Sequence, residues 1–170
     1  MNNPFILVKV KDKNKAVVNF NNEFITEGFI GKNGVTKNKK EGDGKTPLGK
    51  FNVGICFGIH KKIDTKLEYI QINPNLYWVD DVISKYYNKL VDITKVDKDW
   101  NSAEHLIDYP IEYEYALEIK TNPKCEKGKG SAIFLHCSNQ KPTAGCIAIN
   151  TNYMIKLLKS LNKNAIIYVI

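Results

Sequence analysis

Two residues in the last third of the chain have the types and spacing that acyl-transfer chemistry uses. Cys146 follows Gly145, which removes side-chain bulk beside the thiol, and precedes the apolar run 147–149, which can anchor the segment in a core. His136 lies ten residues upstream, at the end of the strand-like stretch 131–136. An imidazole within reach of a thiol accepts its proton, and the resulting imidazolium can later protonate a leaving amine. Spacing alone makes this pair only suggestive, since a histidine at a strand end is at least as often structural.

The other candidate chemistries have weaker support. The chain has four cysteines, Cys56, Cys125, Cys137 and Cys146, and their spacings match neither a CxxC redox pair nor paired zinc ligands. Disulfides have no support from these spacings, and a zinc site using His136, Cys137 and Cys146 lacks regular ligand spacing. Residues 42–46 resemble part of a phosphate loop, but the full spacing and the following helix are absent. We therefore expect no metal, cofactor or nucleotide.

The elements that must position these residues are mostly strands. Short runs rich in Val, Ile, Phe and Tyr recur between turn residues, at 5–10, 16–20, 23–30, 51–57, 67–72, 113–120, 131–137 and 165–170. A helical period follows Asn150 and Thr151, with apolar residues at 154, 155, 158 and 161. Ser102 predicts the cap of a shorter helix over 103–107. On such a helix the adjacent Glu104 and His105 would face apart, so we expect no acid–base pair there.

The remaining sequence indicates one domain over residues 1–170, with a loop-rich insertion at about 73–101. The 25 basic residues are all Lys and exceed the 18 acidic residues by seven, giving a net charge of +7. Bidentate base reading relies on Arg, so we expect no nucleic-acid partner; the positive surface suits an anionic polymer such as the cell wall. No apolar run approaches the roughly 18 residues that span a bilayer, so we expect no integral membrane segment.

Two separated motifs carry a resemblance to a known family. Phe134-Leu135-His136, followed after a short loop by the run 142–149, resembles the active-site signature of the YkuD-type L,D-transpeptidases. The Gly-rich segments 31–34 and 41–51 are similar to an upstream part of that family's domain. Further stretches are similar to a compact branch with a Thr-Ala-Gly-Cys signature, at 78–81, 84–88, 103–106, 115–119 and 130–134. The resemblance covers most of residues 25–170.

The resemblance implies a mainly β, closed or nearly closed barrel-like L,D-transpeptidase catalytic fold with one or two short helices. It makes Cys146 the nucleophile and His136 its general base, with the main-chain carbonyl of Cys137 holding the imidazole. Main-chain N–H groups around Gly145 and Cys146 are the expected donors to the oxyanion. The implied reaction is thiolate attack on the bond between a diamino acid and a terminal D-Ala of a peptidoglycan stem peptide. A thioester forms, and an amine of a neighbouring stem resolves it into a 3-3 cross-link.

For substrate binding we select Thr143 from the motif together with residues of the 73–101 segment. The selected residues of that segment are Trp78, Asp80, Tyr87 and Asn88. They either line a binding groove or hold the loop against the barrel, and the sequence does not favour one of these interpretations over the other. Many family members have His immediately before the Gly-Cys pair and Arg two residues after it, whereas this chain has Ala144 and Ala148. The thiolate and the substrate carboxylate are therefore less supported. Lys45 or Lys141 is a candidate for the missing charge.

Two other functions remain open at this point. Water in place of the amine would make the same site an L,D-carboxypeptidase, and a barrel without catalysis would be a cell-wall-binding module. In each case the expected partner is peptidoglycan, and we expect a monomer. Peptidoglycan chemistry of this type takes place outside the membrane, so we expect a cell-envelope or secreted protein, with the cytoplasm as the alternative because the chain begins without a recognisable leader.

Overall fold

The computed structural model describes residues 4–170, and it contains strands, one α-helix and a 3-10 turn. The strands are β1 (Phe5–Val10), β2 (Lys15–Phe20), β3 (Phe24–Phe29), β4 (Val35–Thr36), β5 (Thr46–Pro47), β6 (Gly49–Gly58), β7 (Tyr69–Gln71), β8 (Leu76–Val79), β9 (Leu90–Asp92), β10 (Ala103–His105), β11 (Ala116–Ile119), β12 (Phe134–Cys137), β13 (Ile147–Ile149) and β14 (Ile166–Val169). The 3-10 turn is Leu106–Asp108, and the helix α1 is Thr151–Ser160.

Eight strands close into a barrel in the order β11-β12-β13-β3-β2-β1-β14-β6, with β6 pairing back to β11. The long strand β6 makes the closure possible, because residues 49–52 pair with β14 and residues 53–57 pair with β11. The short strand β7 adds to β6 outside this circle. The mainly β barrel that the sequence predicts is therefore confirmed.

The barrel interior follows from the period-two alternation of apolar residues along its strands. In β1, Ile6 and Val8 are fully buried, and in β2 the same holds for Ala16, Val18 and Phe20. These side chains share one hydrophobic cluster with residues of every other barrel strand except β3, whose Phe24 packs against it. The barrel is thus a filled core, and its chemistry must lie at an end or on a wall.

The single α-helix begins where the sequence predicts. Asn150 caps it, since its side chain accepts a hydrogen bond of 2.9 Å from the N–H of Asn152. The buried face consists of Met154, Leu157 and Leu158. The helix closes over the barrel cluster to which these residues belong.

The segment between β7 and β11 differs from the expectation of long loops. This segment contains β8, β9 and β10, which form a separate three-stranded sheet in the order β10-β8-β9. The helix predicted from Ser102 over 103–107 is wrong, because Ala103–His105 pairs as β10 with residues 77–79 of β8 and only the 3-10 turn follows. Pairing with a partner distant in sequence has overridden the local capping signal.

Within the described residues, no helix is long and apolar enough to cross a membrane. All four cysteines are free thiols.

Candidate active site

Cys146 immediately precedes β13, and strand register fixes its neighbour. β12 and β13 run parallel with Leu135 opposite Ile147, so Cys146 lies beside Phe134. The N–H of Phe134 donates to the Cys146 Sγ at 3.3 Å, and the Sγ–H donates to the carbonyl of Ala132 at 3.2 Å. The residue is only 8% exposed. One donor and one acceptor thus hold the sulfur in a defined position.

His136 lies two residues after Phe134 on β12, so the two side chains share one face of that strand. The Nδ1 of His136 contacts the carbonyl oxygen of Cys137 at 2.8 Å. A carbonyl only accepts, which assigns the proton to Nδ1 and leaves Nε2 as the acceptor. The ring of Tyr113 meets the imidazole edge-on with 5.8 Å between ring centroids. These contacts fix both the tautomer and the orientation of the imidazole.

The turn before Cys146 is held by hydroxyl groups. Thr143 Oγ1 donates to the carbonyl of Cys146 at 2.6 Å and accepts from the N–H of Gly145 at 3.1 Å. Thr46 Oγ1 donates to the same Cys146 carbonyl at 3.3 Å. Because the Gly145 N–H is already used in this turn, the N–H of Cys146 is the better candidate donor for an oxyanion.

Gly145 is required at its position for steric and conformational reasons. Its φ of +149° lies in a region that L side chains rarely adopt, and a Cβ there would lie 2.9 Å from the carbonyl oxygen of Lys45. The close approach of the segment that contains Lys45 therefore depends on glycine. This explains the residue type at the position before the thiol.

The thiol and the imidazole are both neutral in the resting protein. Burial raises the pKa of the Cys146 thiol to about 12, with a further increase from the negative charge of Glu104. Burial lowers the pKa of His136. A neutral imidazole is the form that accepts a proton, so burial keeps His136 in the protonation state that a general base needs.

Two cavities are lined by Cys146. The first, here called the histidine cavity, has a volume of about 190 Å³ and contains His136. Its walls are Glu104, Tyr109, Glu112, Tyr113, His136, Asn139, Lys141, Pro142, Thr143, Ala144 and Cys146. Thr143, selected from sequence, and Lys141, a candidate cation, both lie there.

The second, here called the acidic cavity, has a volume of about 200 Å³. Its walls are Lys39, Glu41, Gly42, Asp80, Glu104, Ser131, Ala132, Ile133, Ala144, Gly145 and Cys146. Glu104, Ala144 and Cys146 belong to both cavities. Asp80 is the residue selected from the 73–101 segment that reaches this site.

The other selected residues of that segment lie behind the cavity walls. Trp78 is 3% exposed, packs on the ring of Phe134 and donates through Nε1 to the Oδ1 of Asn88 at 3.1 Å. Asn88 Oδ1 also accepts from the N–H of Ala132 at 3.1 Å. Tyr87 is 1% exposed, and its hydroxyl donates to Glu41. These side chains support the residues that form the cavity walls.

Lys45 is likewise absent from the walls of both cavities. Its backbone contributes instead, through an N–H that donates to Asp43 Oδ1 at 2.9 Å and a carbonyl that faces Gly145. Among residues 4–170, no group of three His, Cys, Asp or Glu side chains is arranged to hold a metal ion.

Sequence reasoning selected Asp80 but missed Glu41, Glu104 and Tyr113. Glu41, Asp80 and Glu104 come from three distant segments, and the hydroxyl of the buried Tyr113 donates to Glu104 Oε2. Glu104 was excluded as a candidate because of the helix predicted over 103–107, where the structure has β10. The available signal was that Glu41, Asp80 and Glu104 each lie in a segment that carries the resemblance.

The fold and the site define a class of protein: a closed β-barrel in which a buried thiol and an oriented imidazole line the same cavity. The family model of the L,D-transpeptidase catalytic domain, YkuD, matches residues 3–169. The chain therefore belongs to the L,D-transpeptidase catalytic domain family.

Solved structures with this fold type are only distantly similar. L,D-transpeptidase 1 of Mycobacterium tuberculosis is 14% identical with a TM-score of 0.42, and the match covers 98% of this chain and 61% of that one. An L,D-transpeptidase from Mycobacterium smegmatis is 11% identical with a TM-score of 0.47, covering 98% of this chain and 58% of that one. The chain thus spans about three fifths of the length of these structures. No curated protein matches the sequence.

Proposed function

We propose that this protein is a cysteine-dependent acyltransferase that acts on peptidoglycan stem peptides. The observation that supports this most directly is that Cys146 and His136 line the same cavity, the histidine cavity. It exposes Cys146 and His136 to the same bound group, while Nδ1 of His136 is tethered to Cys137 and Nε2 remains the acceptor. Family membership supplies the substrate class. Because that substrate lies outside the membrane, the proposal includes a cell-envelope or secreted location.

In the first half-reaction, the Cys146 sulfur attacks the carbonyl that joins the diamino acid to the terminal D-Ala. His136 Nε2 takes the thiol proton as the C–S bond forms, which avoids a free thiolate whose formation the burial of Cys146 opposes. The oxyanion that forms accepts a hydrogen bond from the backbone N–H of Cys146. The proton then passes from the imidazolium to the departing amine, D-Ala leaves, and a thioester remains on Cys146.

The proposal is tested with a disaccharide tetrapeptide, by intact-protein mass and product analysis. We expect a thioester adduct and 3-3 cross-linked dimers with the wild type. Cys146→Ala should lose both, and His136→Ala should lose at least about a hundredfold in rate, the usual contribution of a general base. Cys125→Ala is the matched control, because this half-buried thiol lies outside both cavities.

Three other outcomes are informative. A tripeptide product that depends on Cys146 but carries no cross-link would assign water as the acceptor and make the protein an L,D-carboxypeptidase. Absence of both product and adduct would overturn the proposal in favour of a wall-binding module. Equal loss in Cys125→Ala would show that the effect is not specific to the site.

A further inference from the structure

A third cavity, here called the basic cavity, lies between two loops that the proposed reaction does not use. Its walls come from residues 37–41, which follow β4, and from residues 121–124 and 126–129, which follow β11. Its volume is about 940 Å³, more than that of the histidine cavity and the acidic cavity together. The basic cavity therefore has room for several linked chemical groups rather than for one small ion.

Positive charge is concentrated in this cavity. Six of its wall residues are lysines and two are glutamates, an excess of four positive charges in a chain whose net charge is +7. Two of the lysines have local partners, since Lys39 forms an ion pair with Asp43 and Lys127 donates to the carbonyl of Ser84. The other four are exposed and form no ion pair within residues 4–170: Lys37, Lys40, Lys124 and Lys129.

The two glutamates leave this excess in place. Glu41 also lines the acidic cavity, where its Oε2 accepts from the hydroxyl of Ser131 at 2.7 Å. Glu126 is exposed, and no ion pair within the described part of the chain includes it. Ammonium groups gathered on two loops repel one another, and a bound anion offsets that repulsion. The charges of the basic cavity therefore select for an anion.

Hydrogen bonds hold the two loops in place. Asn122 is 6% exposed, and its Nδ2 donates to the carbonyls of Glu126 at 2.9 Å and Gly130 at 3.0 Å. Its Oδ1 accepts from the N–H of Glu126 at 3.0 Å. The N–H of Glu41 donates to the carbonyl of Gly128 at 2.9 Å, which joins one loop to the other. The lysines are therefore carried by a backbone of fixed shape, which lowers the ordering cost of binding.

The chemistry of the walls favours phosphate groups on an aliphatic chain. Lysine binds phosphate as a point charge, whereas paired hydrogen bonds to a planar carboxylate rely on arginine, which this chain lacks. None of the described residues in the walls is aromatic, so the cavity offers no ring for a nucleobase to stack on. The volume fits several successive phosphates. Together these features indicate a polymer of phosphodiesters without bases.

We propose that the basic cavity binds an aliphatic phosphodiester chain through the ammonium groups of Lys37, Lys40, Lys124 and Lys129. The basic cavity shares Lys39 and Glu41 with the acidic cavity, so the bound chain lies beside a cavity that Cys146 lines. The inference goes beyond the proposed function, because the chain takes no part in the acyl transfer. A phosphodiester chain joined to peptidoglycan would hold the protein close to its stem-peptide substrates.

The first experiment measures binding of a short glycerol phosphate oligomer by calorimetry at about 0.1 M salt, where surface charges are partly screened. Lys40→Gln/Lys124→Gln removes one charge from each loop. Lys61→Gln/Lys62→Gln is the matched control, because it removes two charges from exposed residues outside the cavity. We expect the first variant to bind at least about tenfold more weakly than the wild type and the control at most about twofold more weakly. Equal weakening would show that only net charge matters, which would overturn the inference.

Two further titrations identify the chemistry of the ligand. Added salt should weaken binding more steeply in the wild type than in Lys40→Gln/Lys124→Gln, since the variant neutralises fewer phosphates. Oligodeoxythymidylate with the same number of phosphates should bind no more tightly than the glycerol phosphate oligomer, because the cavity adds no stacking. The same salt dependence in both proteins, or tighter binding of oligodeoxythymidylate, would contradict an aliphatic phosphodiester ligand.

A last measurement locates the site without any variant. A glycerol phosphate oligomer with a terminal aldehyde forms imines with nearby lysines, and cyanoborohydride reduces these to stable amines that peptide mass spectrometry maps. We expect adducts at the four lysines named above to exceed those at Lys61 and Lys62, and unlabelled oligomer to remove the excess. Adducts spread evenly over the exposed lysines would refute the site. No stem peptide is present in these experiments, so their failure would leave the proposed function standing.

Discussion

At the scale of single residues, Glu104 acts on the thiol of Cys146 through its charge. It lies in both cavities, and its negative charge is one cause of the raised pKa of Cys146. The N–H of Phe134 and the charge of Lys39 act in the other direction. Glu104 is therefore the charge that most opposes ionisation of the Cys146 thiol.

This gives a prediction for the free enzyme. Glu104→Gln removes the charge, so the pKa of Cys146 should fall and alkylation of Cys146 by iodoacetamide at about pH 8 should accelerate at least about threefold. Peptide mass spectrometry over time measures the rate. Cys125 in the same sample is the internal control, and a slower or unchanged rate at Cys146 would contradict the electrostatic role of Glu104.

The residue scale also shows how far the sequence predicted the site. Cys146 and His136 stand in one short motif, so their types, spacing and resemblance identified them together. Asp80 was selected, but Glu41 was not, because nothing local marks a carboxylate whose partners Ser131 and Tyr87 lie far along the chain. Convergence of distant segments is a property of strand pairing, and spacing does not encode it.

At the scale of elements, the segment between β8 and β9 positions the wall behind the thiol. Asn88 has a φ of +56° and joins three chain segments. Its Oδ1 accepts from Trp78 and from the N–H of Ala132, and its Nδ2 donates to the carbonyl of Asn122 at 3.0 Å. The carbonyl of Ala132 in turn accepts the thiol proton. Asn88 therefore holds in place the residue whose carbonyl accepts from the Cys146 thiol.

We expect Asn88→Ala to lower the free energy of unfolding by about 2–4 kcal/mol, from lost hydrogen bonds and a strained left-handed backbone. Thioester formation should also slow, because the Ala132 carbonyl loses its support. Urea denaturation and single-turnover mass spectrometry measure the two effects. Asn88→Gly, which tolerates the backbone conformation, should recover about 1 kcal/mol but not the rate. A fully active Asn88→Ala would refute this role.

The elements that the sequence predicted are those with a clear period. Strands such as β1 and β2 alternate over six residues, and α1 has both a cap and an apolar face. The second sheet was missed because its strands have only three or four residues, too few for an alternation to register. Residues 103–107 were predicted as a helix because Ser102 can cap one, whereas the pairing of β10 with β8 and the stacking of His105 on Tyr77 are nonlocal.

At the scale of the whole molecule, closure of the barrel joins the chain ends to its middle. β14 lies between β1 and β6. It runs parallel to β1 and antiparallel to β6. Ile167 of β14 is fully buried in the barrel cluster. Without β14, the barrel would be open between β1 and β6.

The active site depends on the same closure. Cys146 belongs to a second hydrophobic cluster with Phe57 of β6, Ala116 of β11 and Phe134 of β12. These strands are neighbours in the barrel wall, in the order β6-β11-β12, and β6 connects them to β14 because it leaves β14 and continues along β11. The burial that sets the pKa of Cys146 is therefore a consequence of the whole fold, and the site should not open independently of it.

Ile167→Ala should lower the free energy of unfolding by about 2–5 kcal/mol, the usual cost of such a core cavity. Ile25→Ala on β3 is the matched control: this side chain is 62% exposed, so its loss should cost less than about 1 kcal/mol. In urea, the alkylation of Cys146 should rise at the same midpoint as the loss of circular dichroism, in the wild type and in Ile167→Ala alike. Alkylation at lower urea than the unfolding midpoint would show instead that the site opens locally, and that barrel closure does not control access to the thiol.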